Sequence, residues 1–290
     1  MRPLLILLLG LLLAACDARQ DAVTAEGPKP AIWEIADDAG AVEGWLFGTI
    51  HSLEDGVSWR SPLLEGISAQ ADMLVVEAAD LDEEHLRALH ARLAYDAPPL
   101  TIDQRIDPEH AATLASLREK SGAPASAFDE METWAAAIAL SQIDNPGRSE
   151  NGVDRALIAE FDDREILEIE GSEAQIRAFD NLPETEQTDL LNLILAEKAK
   201  QTDGPDEIGN LWLAGDVDGL LAMTRTGMLS DPELRQALLV QRNLAWAERL
   251  GNLLSTGARP LVAVGAGHMV GDEGLPALLA SQGYTIRRIQ

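Results

Sequence analysis

The chain has one cysteine, Cys16, in 290 residues, so no internal disulfide can hold the fold. Basic residues are scarce: 22 Lys+Arg stand against 49 Asp+Glu, for a net charge of −27. A surface this acidic repels phosphate backbones and anionic headgroups, which argues against nucleic acid as a partner. The acid excess reads as a solvated face that keeps the protein in solution, with a cation-concentrating role as the lesser alternative. Beyond residue 13 there is no second long apolar run, so the body of the chain does not cross a bilayer, which takes about 20 residues.

What is present begins with Met1-Arg2, an aliphatic stretch from Pro3 to Leu13, and Leu13-Ala14-Ala15-Cys16. A basic start, a short apolar core and small residues before a cut site describe a secretory signal peptide over residues 1–15. Leu-Ala-Ala-Cys resembles the lipobox of bacterial lipoproteins, which implies lipidation at Cys16 and a bilayer anchor facing the periplasm. The plainer alternative is an ordinary signal peptide with an incidental cysteine. Asp17 after the cysteine points to inner-membrane retention. Residues 16–30, small, polar and proline-containing, read as a tether, leaving 31–290 as one folded domain with ample core.

Apolar patterning divides that domain. Runs at Ala31–Ala36 and Gly44–Gly48 flank an Asp/Gly-rich turn and predict a β-hairpin. Met73–Val76, Glu165–Ile169 and Pro260–Val264 predict buried strands, and Tyr284–Ile289 a final one. Helices are expected over 61–70, 82–95, 108–121, around Met131–Ile138, over 151–161 with Asn151 as cap, from 172, from 183, from Asp231 to about Leu254, and over 275–281. The expectation is an α/β or α+β fold: a central mixed sheet, flanking helices and a helix-rich insertion.

Each of four apolar runs ends in a polar group. Gly48-Thr49-Ile50-His51 follows one, Glu77 the next, Glu170 the third, and Gly265-Ala266-Gly267-His268 the last. If these strands are parallel, two imidazoles and a carboxylate meet at their carboxyl edge. Two histidines and a carboxylate suit a divalent metal such as Zn, Mn or Co, and a metal there polarises a carbonyl and activates water. The glycines, Gly265 and Gly267 among them, fit tight turns and close approach. A lone histidine after a strand is more often structural; two in identical GxxH settings shift the balance. Glu77 can also be a simple strand-end acid, although burial behind Met73–Val76 is costly without a partner. Arg242 shares a helical face with Leu238, Leu239 and Trp246, where it either holds a carboxylate or stabilises an oxyanion, or packs its stem with its head in water. Asn243 is a candidate donor. Asp154, in Asn151-Gly152-Val153-Asp154, reads as a helix-start acid rather than a catalytic one. His85, His90 and His110 read as solvated.

These motifs resemble the TraB/PrgY/GumN family, which includes the Tiki metalloproteases. Leu-Phe-Gly-Thr-Ile-His51 matches a first GxxH motif, Val-Gly-Ala-Gly-His268 with Gly271 and Gly274-Leu275 a second, and Val-Val-Glu77 the glutamate between them. Asp154 in its Asn-Gly-Val context, Glu170-Gly171, and Arg242, Asn243 and Trp246 also resemble recurring stretches of the family. The resemblance implies a fold shared with erythromycin esterase-like and ChaN-like proteins. It further implies a metal-dependent peptidase in which His51, Glu77 and His268 hold manganese, cobalt or zinc. Glu77, Arg242 and Glu170 would then act on a peptide or other acyl substrate. The ChaN-like relatives imply a rival: a non-catalytic envelope lipoprotein that binds haem, metal or a partner.

Overall fold

The computed structural model describes residues 27–80, 83–95, 100–200 and 207–290. The predicted signal peptide at 1–15, Cys16 and the tether as far as residue 26 lie outside the described residues. Six strands form one sheet: β1 (Ile32–Ala36), β2 (Val42–Thr49), β3 (Met73–Val76), β4 (Glu165–Glu168), β5 (Pro260–Gly265) and β6 (Thr285–Arg288). Their spatial order is β4-β3-β5-β2-β1-β6. β2, β5, β3 and β4 run parallel, while β1 is antiparallel to both β2 and β6. The fold is therefore α/β with a mixed sheet, as the apolar patterning predicts.

The hairpin forms where the Asp/Gly turn places it. Asp37 Oδ1 accepts the N–H groups of Ala39 and Ala41 at 2.9 and 2.7 Å. β5 lies between β3 and β2 with helices over both faces, which is why Pro260–Val264 is an unbroken buried run. β4 departs from expectation. Glu165–Ile169 reads as a buried strand, but the observed strand is half-exposed, with Glu165 and Glu168 in solvent. It is the sheet's edge, with a neighbour on one side.

Two apolar clusters cover the sheet faces and a third lies within the helical insertion. The helix Gln241–Leu254 lays Trp246, Ala247, Leu250 and Leu254 as one stripe against Leu46, Val75, Val262 and Val264. Each such large side chain contributes roughly 1.5–3 kcal/mol on burial. The insertion packs Trp134, Leu140, Leu190, Leu191 and Ile194 around the helices Thr133–Gln142 and Glu184–Lys200. Among the described residues no helix is long and apolar enough to cross a membrane.

Four local expectations are corrected. The helix predicted over 231–254 starts as expected, with Asp231 accepting from Leu234 N at 2.9 Å and Pro232 in the first turn. It then widens into a π turn over Gln236–Val240 immediately before Arg242. Such single π turns concentrate at functional sites. Asn151 is not a helix cap: Gly152 holds that position, and the Asn151 amide donates instead to Leu53 O and Asp55. His110 is buried rather than solvated, because the short turn Pro108–His110 packs against the helix Glu184–Lys200. His90 is half-buried with its ring edge-on to Trp134, whereas His85 is exposed as expected.

Candidate active site

Parallel β2, β3, β4 and β5 all end at the same edge of the sheet, so the residues after each strand are brought together by topology alone. His51 lies two residues past β2, Glu77 directly after β3, and Glu170 two residues past β4. His268 sits in the 3-10 turn Ala266–Met269 that follows β5.

Gly265 marks the point of convergence. A methyl group on it would lie 3.2 Å from Glu77 Oε1, 3.4 Å from His51 Nε2 and 3.7 Å from His268 Cδ2. Any side chain here would crowd the site. Gly48 is needed for a different reason: its Cβ would meet Ala266 Cα at 3.0 Å, so the first GxxH motif must be bare where the second folds over it. Gly267 does not share this role, since a methyl there would make an ordinary 3.7 Å contact with Thr224.

Each imidazole is anchored through Nδ1. His51 Nδ1 lies 2.8 Å from Asp154 Oδ2, and Asp154 Oδ1 accepts the Thr49 hydroxyl at 2.7 Å. Asp154 stands in the first turn of its helix, Val153–Glu160, as a helix-start acid is expected to, and in addition holds His51. His268 Nδ1 lies 2.5 Å from Asn243 Oδ1. The Asn243 amide nitrogen donates to Glu273 O at 2.7 Å, and a carbonyl can only accept, so the orientation of the amide is fixed. Nδ1 of His268 therefore carries the proton, and Nε2 is an acceptor that faces Arg242 Nη1. A ring nitrogen held by an oxygen acceptor while the other is presented is how metal-binding and acid–base histidines are oriented.

Glu77 is buried, at 5% exposure, and hydrogen-bonded through both oxygens. Its Oε1 accepts Gly265 N–H at 2.7 Å, and its Oε2 accepts Gln175 Nε2 at 2.7 Å and Arg242 Nη2 at 3.1 Å. Arg242 is gripped by Glu170 through Nε at 3.1 Å and Nη2 at 2.6 Å, bonds Leu238 O at 3.0 Å, and stacks over Trp246 at 4.7 Å. Its Nη1 lies 3.4 Å from His268 Nε2. The guanidinium thus joins Glu170, Glu77 and His268. Of the two readings of Arg242, the one in which it holds a carboxylate describes its position.

The electrostatics divide the two histidines. Desolvation lowers the His51 pKa, but the hydrogen bond and charge of Asp154, with the charge of Glu77, outweigh it and raise it to about 9. One side of the ring still meets water, with 61% of the side chain exposed, so solvent screens part of this coupling. His268 goes the other way: desolvation and the neighbouring Arg242 lower it to about 4, so it is neutral. Burial alone would favour protonated Glu77; the potential of His268, His51 and Arg242 and the Gly265 N–H reverse this and hold it below the usual carboxylate value. Because His268 is neutral, the lasting share comes from Arg242 and protonated His51. Asp154, also penalised by burial, is held low by its bond and charge pairing with His51.

A cavity of about 200 Å³ opens onto His51, Glu77, Ala78, Asp154 and Gln175, while His268, Arg242 and Glu170 lie outside its lining. The two imidazoles fit a divalent ion as donors. Glu77 Oε2 takes two protein donors, while Oε1 takes one and keeps an acceptor site. Among the described residues no three His, Cys, Asp or Glu side chains form a ready-made metal cage. A third ligand from Glu77 would therefore come through Oε1, with Gln175 and Arg242 remaining on Oε2. All five predicted site residues of the domain gather at this site: Glu77, Glu170, Arg242 and His268 in one hydrogen-bonded network, and His51, held by Asp154, beside it at Gly265. Gln175 was not anticipated, since a glutamine on the helix Ser172–Asp180 carries no sequence signature.

No curated protein and no solved structure matches the chain. The model of the family described as the TraB/PrgY/gumN family matches residues 31–288, nearly the whole chain and every residue of this network, and the chain belongs to that family.

Proposed function

We propose that the protein is a cell-envelope hydrolase that cleaves a peptide or other acyl carbonyl at this site, with His51 and His268 holding a divalent ion (Mn, Co or Zn) beside Glu77. The observation that supports this most is the double anchoring of the imidazoles: each Nδ1 is fixed by an oxygen acceptor, next to one buried carboxylate. A divalent ion supplies Lewis acidity toward the carbonyl and toward water. The chain's own groups supply the rest. Asp154 and Asn243 hold the rings, Gln175 orients Glu77, and Glu77 is the carboxylate available to accept a proton from water. Arg242, braced by Glu170, offers positive charge to the oxygen that becomes anionic. The Leu13-Ala14-Ala15-Cys16 sequence supports lipidation at Cys16 and a periplasmic, bilayer-anchored location, with Asp17 favouring the inner membrane.

A second reading is favoured by one observation: Arg242 already bonds Glu77 and lies beside His268 Nε2, while His51 is protonated at neutral pH. In that reading no ion is needed; imidazolium His51 donates a proton to the leaving group and Glu77 accepts one from water. Metal analysis of the purified protein, with peptide-library cleavage in the presence and absence of a chelator, tests both. Cleavage lost on chelation and on His51→Ala supports the metal reading. Cleavage that survives chelation but not His51→Ala supports the second. Turnover indifferent to both treatments removes the site, and a haem absorption band without turnover would favour a binding lipoprotein instead.

A further inference from the structure

Arginine is scarce in this acidic chain, and elsewhere the half-buried guanidinium groups are engaged: Arg60 with Glu160, Arg118 with Asp103, Arg235 with Glu273, Arg242 with Glu170. Arg155 differs. It is half-buried on the helix Val153–Glu160, next to Asp154, and among the described residues its side chain has no hydrogen bond or ion pair. It lines the cavity that contains His51 and Glu77. It also lines a neighbouring cavity of about 380 Å³ whose walls include Val57 and Trp59. A guanidinium offers five N–H donors in a planar fork, and those of Arg155 are open to solvent rather than tied to protein acceptors, so they are available to a ligand in the cleft.

We propose that Arg155 is a specificity residue that binds a substrate carboxylate beside the bond presented to His51 and Glu77. This rests on the hydrolase reading above. The carboxylate belongs on the first cavity's side of Arg155, because the acids there are already compensated: Glu77 by Arg242, Asp154 by His51. The second cavity has Glu54 and Glu150 in its wall and would repel an anion, so the neutral part of the substrate extends there, past Val57 and Trp59. In a protein of net charge −27, an anionic substrate gains nothing from the overall field. Its selection has to come from a local cation at the cleft, and Arg155 is the one lining it that is not neutralised.

The test uses three sets of acetylated hexapeptides: one with a free C-terminal carboxylate, the same peptides amidated, and amidated peptides in which a single Gln is replaced by Glu. Each set is presented to the wild-type chain, Arg155→Gln and Arg155→Lys, with binding read by calorimetry and cleavage by mass spectrometry. Wild type should prefer one carboxylate-bearing set over its neutral counterpart by about 10- to 100-fold. Arg155→Gln should abolish that preference through KM, with kcat little changed and neutral peptides unaffected, and Arg155→Lys should restore part of it. Whether the free terminus or the Glu set is preferred identifies the source of the carboxylate. Equal treatment of charged and neutral peptides by wild type, a preference that survives Arg155→Gln, or no binding of any set overturns the proposal. An Arg155-dependent binding preference without cleavage would uphold the recognition and remove the hydrolase reading; cleavage without preference would do the reverse.

Discussion

Replacing Asp154 by Asn removes a charge from His51 while keeping the shape of its partner, and its consequence can be worked through. In the metal-free protein His51 is raised from 6.5 to about 9, chiefly against desolvation and through Asp154. In a dry site this would correspond to roughly 3 kcal/mol at about 1.4 kcal/mol per tenfold. With 61% of the His51 side chain in solvent, screening reduces it to about 1 kcal/mol. The sign follows from linkage. A group whose folded pKa is raised stabilises the fold below its unfolded value and loses that contribution as pH climbs through the folded value. Asp154 is depressed, so its share is present above the ordinary carboxylate range and is lost in acid. The stability difference between wild type and Asp154→Asn should therefore be largest near pH 6, shrink toward pH 9, and shrink again in acid. In the variant, His51 should titrate well below its wild-type value, since desolvation remains and the Asp154 charge is gone, leaving only that of Glu77 to oppose it. Urea denaturation across pH and NMR titration of the His51 ring read both effects. A stability gap that is flat from pH 6 to 9, or a His51 midpoint unmoved by the substitution, would refute the reasoning.

Gly48→Ala should destabilise the fold by about 1–3 kcal/mol, because its methyl meets backbone at 3.0 Å, whereas Gly267→Ala should be near neutral; thermal denaturation of the two separates them. Uptake of Mn or Zn by the metal-free protein at pH 7.5 should release about one proton, from His51 and not from His268, which is already neutral. Calorimetry in buffers of different ionisation enthalpy measures this, and a release near zero would contradict the assigned protonation states.

Much of this site could be read from the chain because His51, Glu77, Glu170 and His268 each follow an apolar run, and parallel strands deliver their ends to one edge. The two GxxH motifs come together because β2 and β5 are neighbours, with Thr49 opposite Gly265. What the sequence concealed is the layer of partners behind them. Asp154 stands where a helix-start acid is ordinary, and only the approach of the His51 segment gives it another role; a Cβ on Gly152 would meet His51 O at 2.5 Å. Gln175 reaches Glu77 from a helix 98 positions away, a pairing no local pattern encodes. The edge position of β4 was hidden for the same reason: strand order depends on long-range pairing, whereas an isolated run such as Ile166-Leu167 reads alike in the centre or at the margin. The π turn before Arg242 likewise leaves no mark on a helical periodicity that continues through it.

The account depends on His51 and His268 acting as one catalytic unit, and the direct measurement is kcat/KM for wild type, His51→Ala, His268→Ala and the double variant on a cleaved library peptide. Residues of one unit are strongly non-additive, so each single substitution should remove nearly all activity and the double variant should be no worse than either. Losses that multiply, or a single variant that cleaves like wild type, would contradict it.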